Sequence, residues 1–519
     1  MIESSRETEY HPDSAAPDPR GEDMARPARG DGIYNVVVIG GGTAGLVTAA
    51  GTAGLGGRVA LVERHKMGGD CLNYGCVPSK ALIKSSRVVA LMRHADRFGL
   101  DPAQPTIDYG RVARRVKALR ARIEPHDSVE RFEELGVDVF PGQATLESPH
   151  EVRVGDKVLK TRHIVIATGG RAVVPDVPGL KEAGYETNET IFERESAPGR
   201  LLVIGGGPIG CELAQAMARL GARVTLVDRG AQLLHREDSD VAALLQTQLE
   251  RDGVRFLLCA RVESVAPGRG GPHRVRLRQD VQSGGVPGGR SELDADTILV
   301  AAGRRPNVEG LGLEQAGVAY TDKGVGIDPH LATTRRNIYA AGDVCGPYHF
   351  THFAEYQARI IVRNILLSPL FGLGRARADY RVVPWTTFTE PEVARVGLNE
   401  KEAARTGAPY DVHRFPFSDL DRAILESEET GCAKVIAARG KGTILGATII
   451  GAGAGEMIHE FALAMKQGIG LSSLSSMIHV YPSLSQAVQR VGDAYMRTRL
   501  TDRARRLFSR LYAWQRRGV

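Results

Sequence analysis

No run of this sequence approaches the roughly 18 uninterrupted apolar residues of a membrane-spanning helix, and its first residues lack the apolar core of a secretory signal, so the chain is expected in the cytoplasm. Cysteine is sparse. Six in 519 residues are too few for the dense disulfide framework of a small secreted domain. Cys211, Cys259, Cys345 and Cys432 stand far apart, and only Cys71 and Cys76 are close. The 61 glycines carry no Gly-X-Y repeat, which excludes collagen; at about 12% against a usual 7% they point to tight turns and close backbone approaches. Nor is there a spread of positive charge. The net charge is +6, yet Arg497 to Val519 alone holds eight arginines and one aspartate, which leaves the rest nearly neutral. A nucleic-acid footprint over the body of the protein is therefore not expected. With 42% hydrophobic and 25% charged residues the composition is that of a folded protein, and the length suggests about three to four domains.

Residues 1–32 are rich in Pro, Asp, Glu and Ser and read as a disordered acidic leader. Order begins at Tyr34-Asn35-Val36-Val37-Val38-Ile39, a buried-strand pattern followed at once by Gly40-Gly41-Gly42-Thr43-Ala44-Gly45 and a small-residue helix. A second strand, Arg58 to Val62, ends at Glu63. The arrangement recurs as Leu201 to Ile204, then Gly205-Gly206-Gly207-Pro208-Ile209-Gly210, a helix through Leu220 and a strand ending at Asp228. In both copies the acid lies at the same offset from the first glycine. In such a unit Gly40 or Gly205 makes the tight turn, Gly42 or Gly207 lets the backbone approach a pyrophosphate, and Gly45 or Gly210 lets helix pack on strand. The helix N-terminus faces the phosphates and the acid takes ribose hydroxyls. One copy could be a structural turn; two, each between strand and helix, make two dinucleotide-binding units. Two dinucleotides in one chain suggest a flavin and a nicotinamide exchanging a hydride.

Gly68-Gly69-Asp70-Cys71-Leu72-Asn73-Tyr74-Gly75-Cys76-Val77-Pro78-Ser79-Lys80 resembles the redox signature of the pyridine nucleotide-disulfide oxidoreductases. The resemblance runs from about Tyr34 to Met496 and continues in Ile166-Ala167-Thr168-Gly169, Ala301-Ala302-Gly303-Arg304-Arg305-Pro306-Asn307 and Tyr339-Ala340-Ala341-Gly342-Asp343. It implies an α/β fold with two Rossmann-like domains and a C-terminal α+β dimerisation domain, which Phe388-Thr389-Glu390-Pro391-Glu392 would open. The expected division is residues 33–197 for FAD, 198–310 for NAD(P), 311–378 for the central FAD part, 379–496 for dimerisation and 497–519 for a basic tail. Gly40, Gly42, Gly45, Glu63, Thr168, Gly169, Gly342 and Asp343 would serve FAD. Gly205, Gly207, Gly210, Asp228 and Gly303 would serve the nicotinamide dinucleotide. Asp228 favours NADH, because a carboxylate repels a 2′-phosphate; Arg229 and Arg236 nearby leave NADPH open as a second donor.

The resemblance also implies that Cys76 lies beside the flavin, that Cys71 meets the acceptor, and that Lys80 pairs with Glu212 next to the flavin ring. A Cys-x4-Cys pair can alternatively be half of a metal site, but no second Cys or His cluster completes four ligands, and no resident metal is expected. Five residues apart on an ideal helix, two Cα atoms lie about 8.6 Å from each other, beyond the roughly 7 Å a disulfide spans. A local break is required, and Gly75 and Pro78 suit one.

Thiol-disulfide reductases of this family carry a His-Pro motif with Glu five residues after the His. Here Tyr481 and Gln486 hold those positions within His479-Val480-Tyr481-Pro482-Ser483-Leu484-Ser485-Gln486. Tyrosine, with an ordinary pKa near 10, is a poor base at neutral pH; His479 would substitute only if the backbone were displaced. The pattern resembles the mercuric reductase branch, yet no cysteine follows Cys432 to hand over a metal. The expected enzyme is an FAD-dependent NAD(P)H oxidoreductase, a homodimer, passing electrons through the cysteine pair to a metal ion or another small acceptor. The alternatives are a dihydrolipoyl dehydrogenase-type reductase and a membrane-docked accessory flavoprotein or quinone reductase. In the tail, Leu500, Ala504, Leu507, Leu511 and Trp514 share one helical face while Arg503, Arg506, Arg510 and Arg517 lie off it. That stripe either packs on the dimer or makes peripheral contact with an anionic membrane.

Overall fold

The computed structural model describes residues 32–268, 270–280, 288–367 and 374–518; the reading of the leader falls almost wholly outside them. Strand Ile33–Ile39, whose last four residues are all buried, forms the centre of a seven-stranded sheet. It pairs in parallel with Val59–Glu63 on one side and Lys157–Ile166 on the other. The sheet order is Val137–Pro141, Val59–Glu63, Ile33–Ile39, Lys157–Ile166, Glu151–Val154, Ala144–Ser148, and Ile338–Ala340 adds in parallel to Ile164–Ile166. The strands at the centre are continuous Val, Ile and Leu runs because both faces are buried: Val36, Val38, Val59 and Leu61 pack on helices Thr43–Gly54 and Thr351–Leu366, and Val37, Ile39, Ala60 and Val62 on strands Ala144–Ser148 and Glu151–Val154 and on residues 308–325. Helix Thr43–Gly54 packs beside Thr351–Leu366, where Gly51 leaves room for Val362.

A second, smaller parallel sheet has the order Arg255–Leu257, Arg223–Val227, Arg200–Ile204, Thr297–Val300. The sequence reading carried this unit's helix through Leu220 and its strand to Asp228. The helix instead spans Pro208–Arg219, with Leu220 as its cap, and the strand stops at Val227, so Asp228 stands just past the strand end and free to turn toward the glycine loop. The third layer is a five-stranded antiparallel sheet: Pro384–Thr387, Glu392–Gly397, Ile444–Gly451, Cys432–Ala438, Tyr410–Pro416. It begins at Pro384, four residues before the motif taken to open it. The fold is thus α/β, two Rossmann-like dinucleotide-binding domains followed by an antiparallel-sheet dimerisation domain.

Helix Cys76–Arg93 joins the first two domains. Its Leu82, Ile83 and Val89 share one buried cluster with Leu213, Ala214 and Met217 of helix Pro208–Arg219. The redox segment is therefore seated on the second domain although it belongs to the first. No helix of the described residues is long and apolar enough to cross a membrane.

Candidate active site

The two glycine turns are built alike. Gly40 and Gly205 have φ of 111° and 115°, in the region that favours glycine, and a Cβ on either would stand 2.3 or 2.4 Å from the carbonyl oxygen of Ala167 or Ala301. A Cβ on Gly45 or Gly210 would come within 1.8 or 1.9 Å of the Gly40 or Gly205 oxygen. The middle glycines differ in kind: nothing lies within 4 Å of a Cβ on Gly207, and only the Gly69 Cα, at 3.7 Å, on Gly42. Both cap their helices without a side-chain hydrogen bond. First-turn N–H groups with an open approach fit a pyrophosphate.

Glu63 and Asp228 do more than the sequence reading assigned to them. Glu63 accepts from Gly41 N at 2.6 Å and His65 N at 2.7 Å, and Asp228 from Gly206 N and Gly230 N, both at 2.6 Å. Each carboxylate thereby ties its strand end to its glycine turn while keeping lone pairs for further donors. Arg229 is exposed beside Asp228.

Thr168, Gly169, Gly303, Gly342 and Asp343 converge through two residues whose roles the sequence reading left open. Asn307 exchanges hydrogen bonds with Thr168 (2.7 and 2.9 Å), and its N–H reaches the Gly169 carbonyl at 3.0 Å. Arg304, next to Gly303, reaches Asp343 at 3.1 Å, Asp70 at 3.0 Å and the Gly170 carbonyl at 2.8 Å. It thus links the cysteine segment to the Asp343 turn. Burial pushes the Asp70 carboxyl up, against the opposing pull of Arg304.

Between the cysteines the helix breaks. Gly69–Tyr74 ends at Gly75, whose φ and ψ of −129° and −109° are not helical, and Cys76–Arg93 starts a new helix. Both thiols are free, Cys71 half-buried and Cys76 exposed. Cys76 Sγ lies 3.3 Å from the Thr351 hydroxyl, at the N-terminus of helix Thr351–Leu366. The Cys71 thiol hydrogen-bonded to Cys76 lowers the Cys76 pKa to about 6; the Thr351 hydroxyl and the Lys80 charge act the same way against burial. The same hydrogen bond, with burial, pushes Cys71 up. Cys76 is the thiol set to ionise, and Cys71 keeps the proton.

Lys80, one turn beyond Cys76, pairs with Glu212 at 2.9 Å and sits 4.4 Å from the centre of the Phe388 ring. Glu212, 6% exposed, accepts from Phe388 N at 2.9 Å. Residues from all three domains meet here. No sequence signal marks Thr351 or Phe388 as partners of the cysteine segment, since 275 positions separate Cys76 from Thr351.

Tyr481 is not brought to the cysteines within one protomer: it is exposed and has Asp421 for a neighbour, whose hydrogen bond and then charge push the phenol above its ordinary pKa. Gln486 is buried, its oxygen accepting from Ser483 N at 3.4 Å. His479 turns away from Tyr481 into its own chain, with Nε2 3.0 Å from Glu460 and Nδ1 3.2 Å from the Met477 carbonyl.

Comparison with known proteins matches residues 34–358 to the family described as pyridine nucleotide-disulphide oxidoreductase and 383–491 to its dimerisation domain. A dihydrolipoyl dehydrogenase of Chlamydia muridarum is 34% identical over 460 residues, 87% of this chain and 95% of the relative. A mercuric reductase of Staphylococcus aureus is 31% identical over 483 residues, 92% and 86% respectively. Among solved structures, the Cu(II) complex of the HOCl-induced flavoprotein disulfide reductase RclA from Escherichia coli aligns with a TM-score of 0.77 at 30% identity, covering 89% of this chain and 99% of that one. The relatives divide between acceptors at similar identity, so identity alone does not choose one.

Proposed function

The chain belongs to the pyridine nucleotide-disulphide oxidoreductase family, and from that premise we propose that it carries electrons from NADH through Cys71 and Cys76 to a soft metal ion. The coarser statement needs no proposal: it is an FAD-dependent NAD(P)H disulfide oxidoreductase with a dimerisation domain that implies a homodimer. Bound flavin supplies the two-electron relay between nicotinamide and cysteines. The glycine turn at Gly40, Gly42 and Gly45, with Glu63, Thr168, Gly169, Gly342 and Asp343, would hold it. Gly205, Gly207, Gly210, Asp228 and Gly303 would hold the nicotinamide dinucleotide, with Asp228 favouring NADH. Lys80 and Glu212 fix a charge pair beside the thiolate, and Thr351 steadies Cys76 as the anion.

One observation carries the choice of acceptor: the chain offers no proton donor of the usual kind where a disulfide substrate would need one. Reducing a disulfide with NADH yields NAD⁺ and two thiols and consumes a proton. Reducing Hg(II) to Hg(0) with NADH yields NAD⁺ and releases one; two Cu(II) reduced to Cu(I) do the same. At the proton-handling position stand a phenol held protonated by Asp421 and a buried glutamine, while His479 is tied to Glu460. Thiolates bind soft cations without acid catalysis. The mercuric reductase and the Cu(II)-complexed relative are in keeping with this reading; the dihydrolipoyl dehydrogenase relative favours the rival, a disulfide acceptor.

Anaerobic NADH titration followed by Hg(II), Cu(II), lipoamide, glutathione disulfide and a quinone tests it. Metal ions should reoxidise the two-electron-reduced enzyme fastest, and Tyr481→His with Gln486→Glu should raise lipoamide turnover by about 10² or more, the worth of general acid–base catalysis. Fast lipoamide turnover by the unaltered enzyme would overturn the metal reading and leave the disulfide one.

A further inference from the structure

The C-terminal helix has no place in the redox chemistry. Helix Gln486–Thr498 is anchored in the dimerisation domain by buried Val488, Val491 and Tyr495. A short turn follows, with Arg499 bonded to the Tyr495 hydroxyl at 2.9 Å. The chain then continues as helix Asp502–Gln515, capped by Thr501 and extended by a turn at Arg516–Gly518. No residue of this last helix is buried. The sequence left open whether its apolar stripe packs on the protein; on its own protomer it does not.

The exposed stripe is wider than the spacing of leucines suggested. At 100° per residue, Trp514, Leu507, Leu511, Phe508 and Tyr512 of this helix span an arc of about 160°. Trp514 is 71% and Tyr512 63% exposed. Arg503, Arg510, Arg517 and Arg506 border the arc on one side, and Arg505 and Arg516 on the other. Among the described residues none of these six arginines has an ion-pair partner, and the one acid of the helix, Asp502, lies in its first turn.

We propose that this helix is an interfacial anchor that lays the enzyme on an anionic lipid surface. The charge decides between occupants. A second copy of the helix would cover the stripe but bring six more arginines against the first six, whereas anionic headgroups neutralise both borders while acyl chains take the centre. Trp514 and Tyr512, one at each edge of the apolar arc, suit the boundary between headgroups and hydrocarbon. Because the dimerisation domain implies a homodimer, each molecule carries two anchors, and two weak contacts act together. The anchor goes beyond the reading of the acceptor and stands or falls apart from it.

Full-length, FAD-loaded enzyme is mixed with phosphatidylcholine vesicles with and without phosphatidylglycerol, and bound protein is measured by co-sedimentation. At low salt the expected result is at least about tenfold more binding to the phosphatidylglycerol vesicles, a blue shift of tryptophan emission that Trp514→Phe removes, and release at high salt. Leu507→Asp with Leu511→Asp, and separately Arg506→Glu with Arg510→Glu, should each abolish binding while NADH oxidation and flavin content stay unchanged. Full-length enzyme left in the supernatant at low salt overturns the proposal, as does binding that survives removal of residues 502–519. So does a drop in oligomeric size on Leu507→Asp with Leu511→Asp without vesicle binding by the unaltered enzyme, which would assign the stripe to a second copy. Preferential binding of duplex DNA over vesicles would overturn it too.

Discussion

The two nucleotide-binding domains share a turn and differ in what their first helices bury. Gly40 to Gly45 and Gly205 to Gly210 agree in backbone conformation, in the tightness of the first and third glycines and in the carboxylate that bonds the amide of Gly41 or Gly206. Helix Thr43–Gly54 is otherwise made of small and apolar residues and meets its neighbour through Gly51 and Val362. Helix Pro208–Arg219 buries Glu212, Gln215 and Arg219. Gln215 reaches the Glu390 carbonyl and Asp252, and Arg219 bonds Asp252 and Glu390. The repeated turn is thus shaped for one shared task, facing a pyrophosphate. The polar helix performs a task of the second domain alone: it fixes the dimerisation domain and delivers Glu212 to Lys80.

The largest effects are expected at the third glycines. Gly45→Ala and Gly210→Ala each force a Cβ into a backbone oxygen, an overpacking that costs about 3 kcal/mol or more. Their consequences should separate. Gly45→Ala is expected to lose flavin absorbance on purification and to melt earlier. Gly210→Ala should stay yellow and lose NADH-dependent reduction, while dithionite still reduces it. Flavin loss from both would mean that the domains do not divide the cofactors between them.

A smaller effect separates the two acids. Asp228→Ala removes two backbone tethers and a ribose acceptor, and losing one charge-assisted hydrogen bond costs roughly 1.5 to 3 kcal/mol. KM for NADH should rise about tenfold or more, and the relative use of NADPH should grow as Arg229 loses its neighbouring charge. Glu63→Ala should leave KM for NADH unaltered and instead weaken flavin retention, measured by dialysis against a chaotropic salt. A wild-type preference for NADPH would shift control of the donor site from Asp228 to Arg229.

What could be read beforehand was what is local in the chain. A glycine turn, an acid at a fixed offset and two cysteines five positions apart are patterns within a few dozen residues. The reading failed where the partner comes from elsewhere. Arg304 meets Asp70, and Phe388 meets Lys80 and Glu212, only because three domains close on one another, and Thr351 meets Cys76 because the chain returns to the first domain after the second. The double duty of Glu63 and Asp228 was hidden for another reason: the amides they bind belong to Gly41 and Gly206, the glycines that the spacing rule passes over. In the tail the periodicity found the stripe, but Phe508 and Tyr512 at its edge and the absence of any cover on its own protomer are facts of packing.

The finest test lies where the two domains meet, at Cys76. The first domain supplies the helix start and the Cys71 hydrogen bond; the second supplies, through Glu212, the position of Lys80. With the Cys76 thiol near pKa 6, the reduced enzyme should show a thiolate-to-flavin charge-transfer band at neutral pH that fades as pH falls through about 6, because protonation removes the donor. Cys76→Ala should abolish the band. Thr351→Val removes a hydrogen bond to the thiolate and Lys80→Met removes a nearby positive charge, so each should move the midpoint upward, by about one pH unit, or about 1.4 kcal/mol. Glu212→Gln has the opposite sign, since the Glu212 charge raises the Cys76 pKa; if Lys80 stays in place, the midpoint should fall. A midpoint that rises instead would mean that Glu212 acts chiefly by holding Lys80, and that the second domain sets the thiolate through geometry rather than through its own charge.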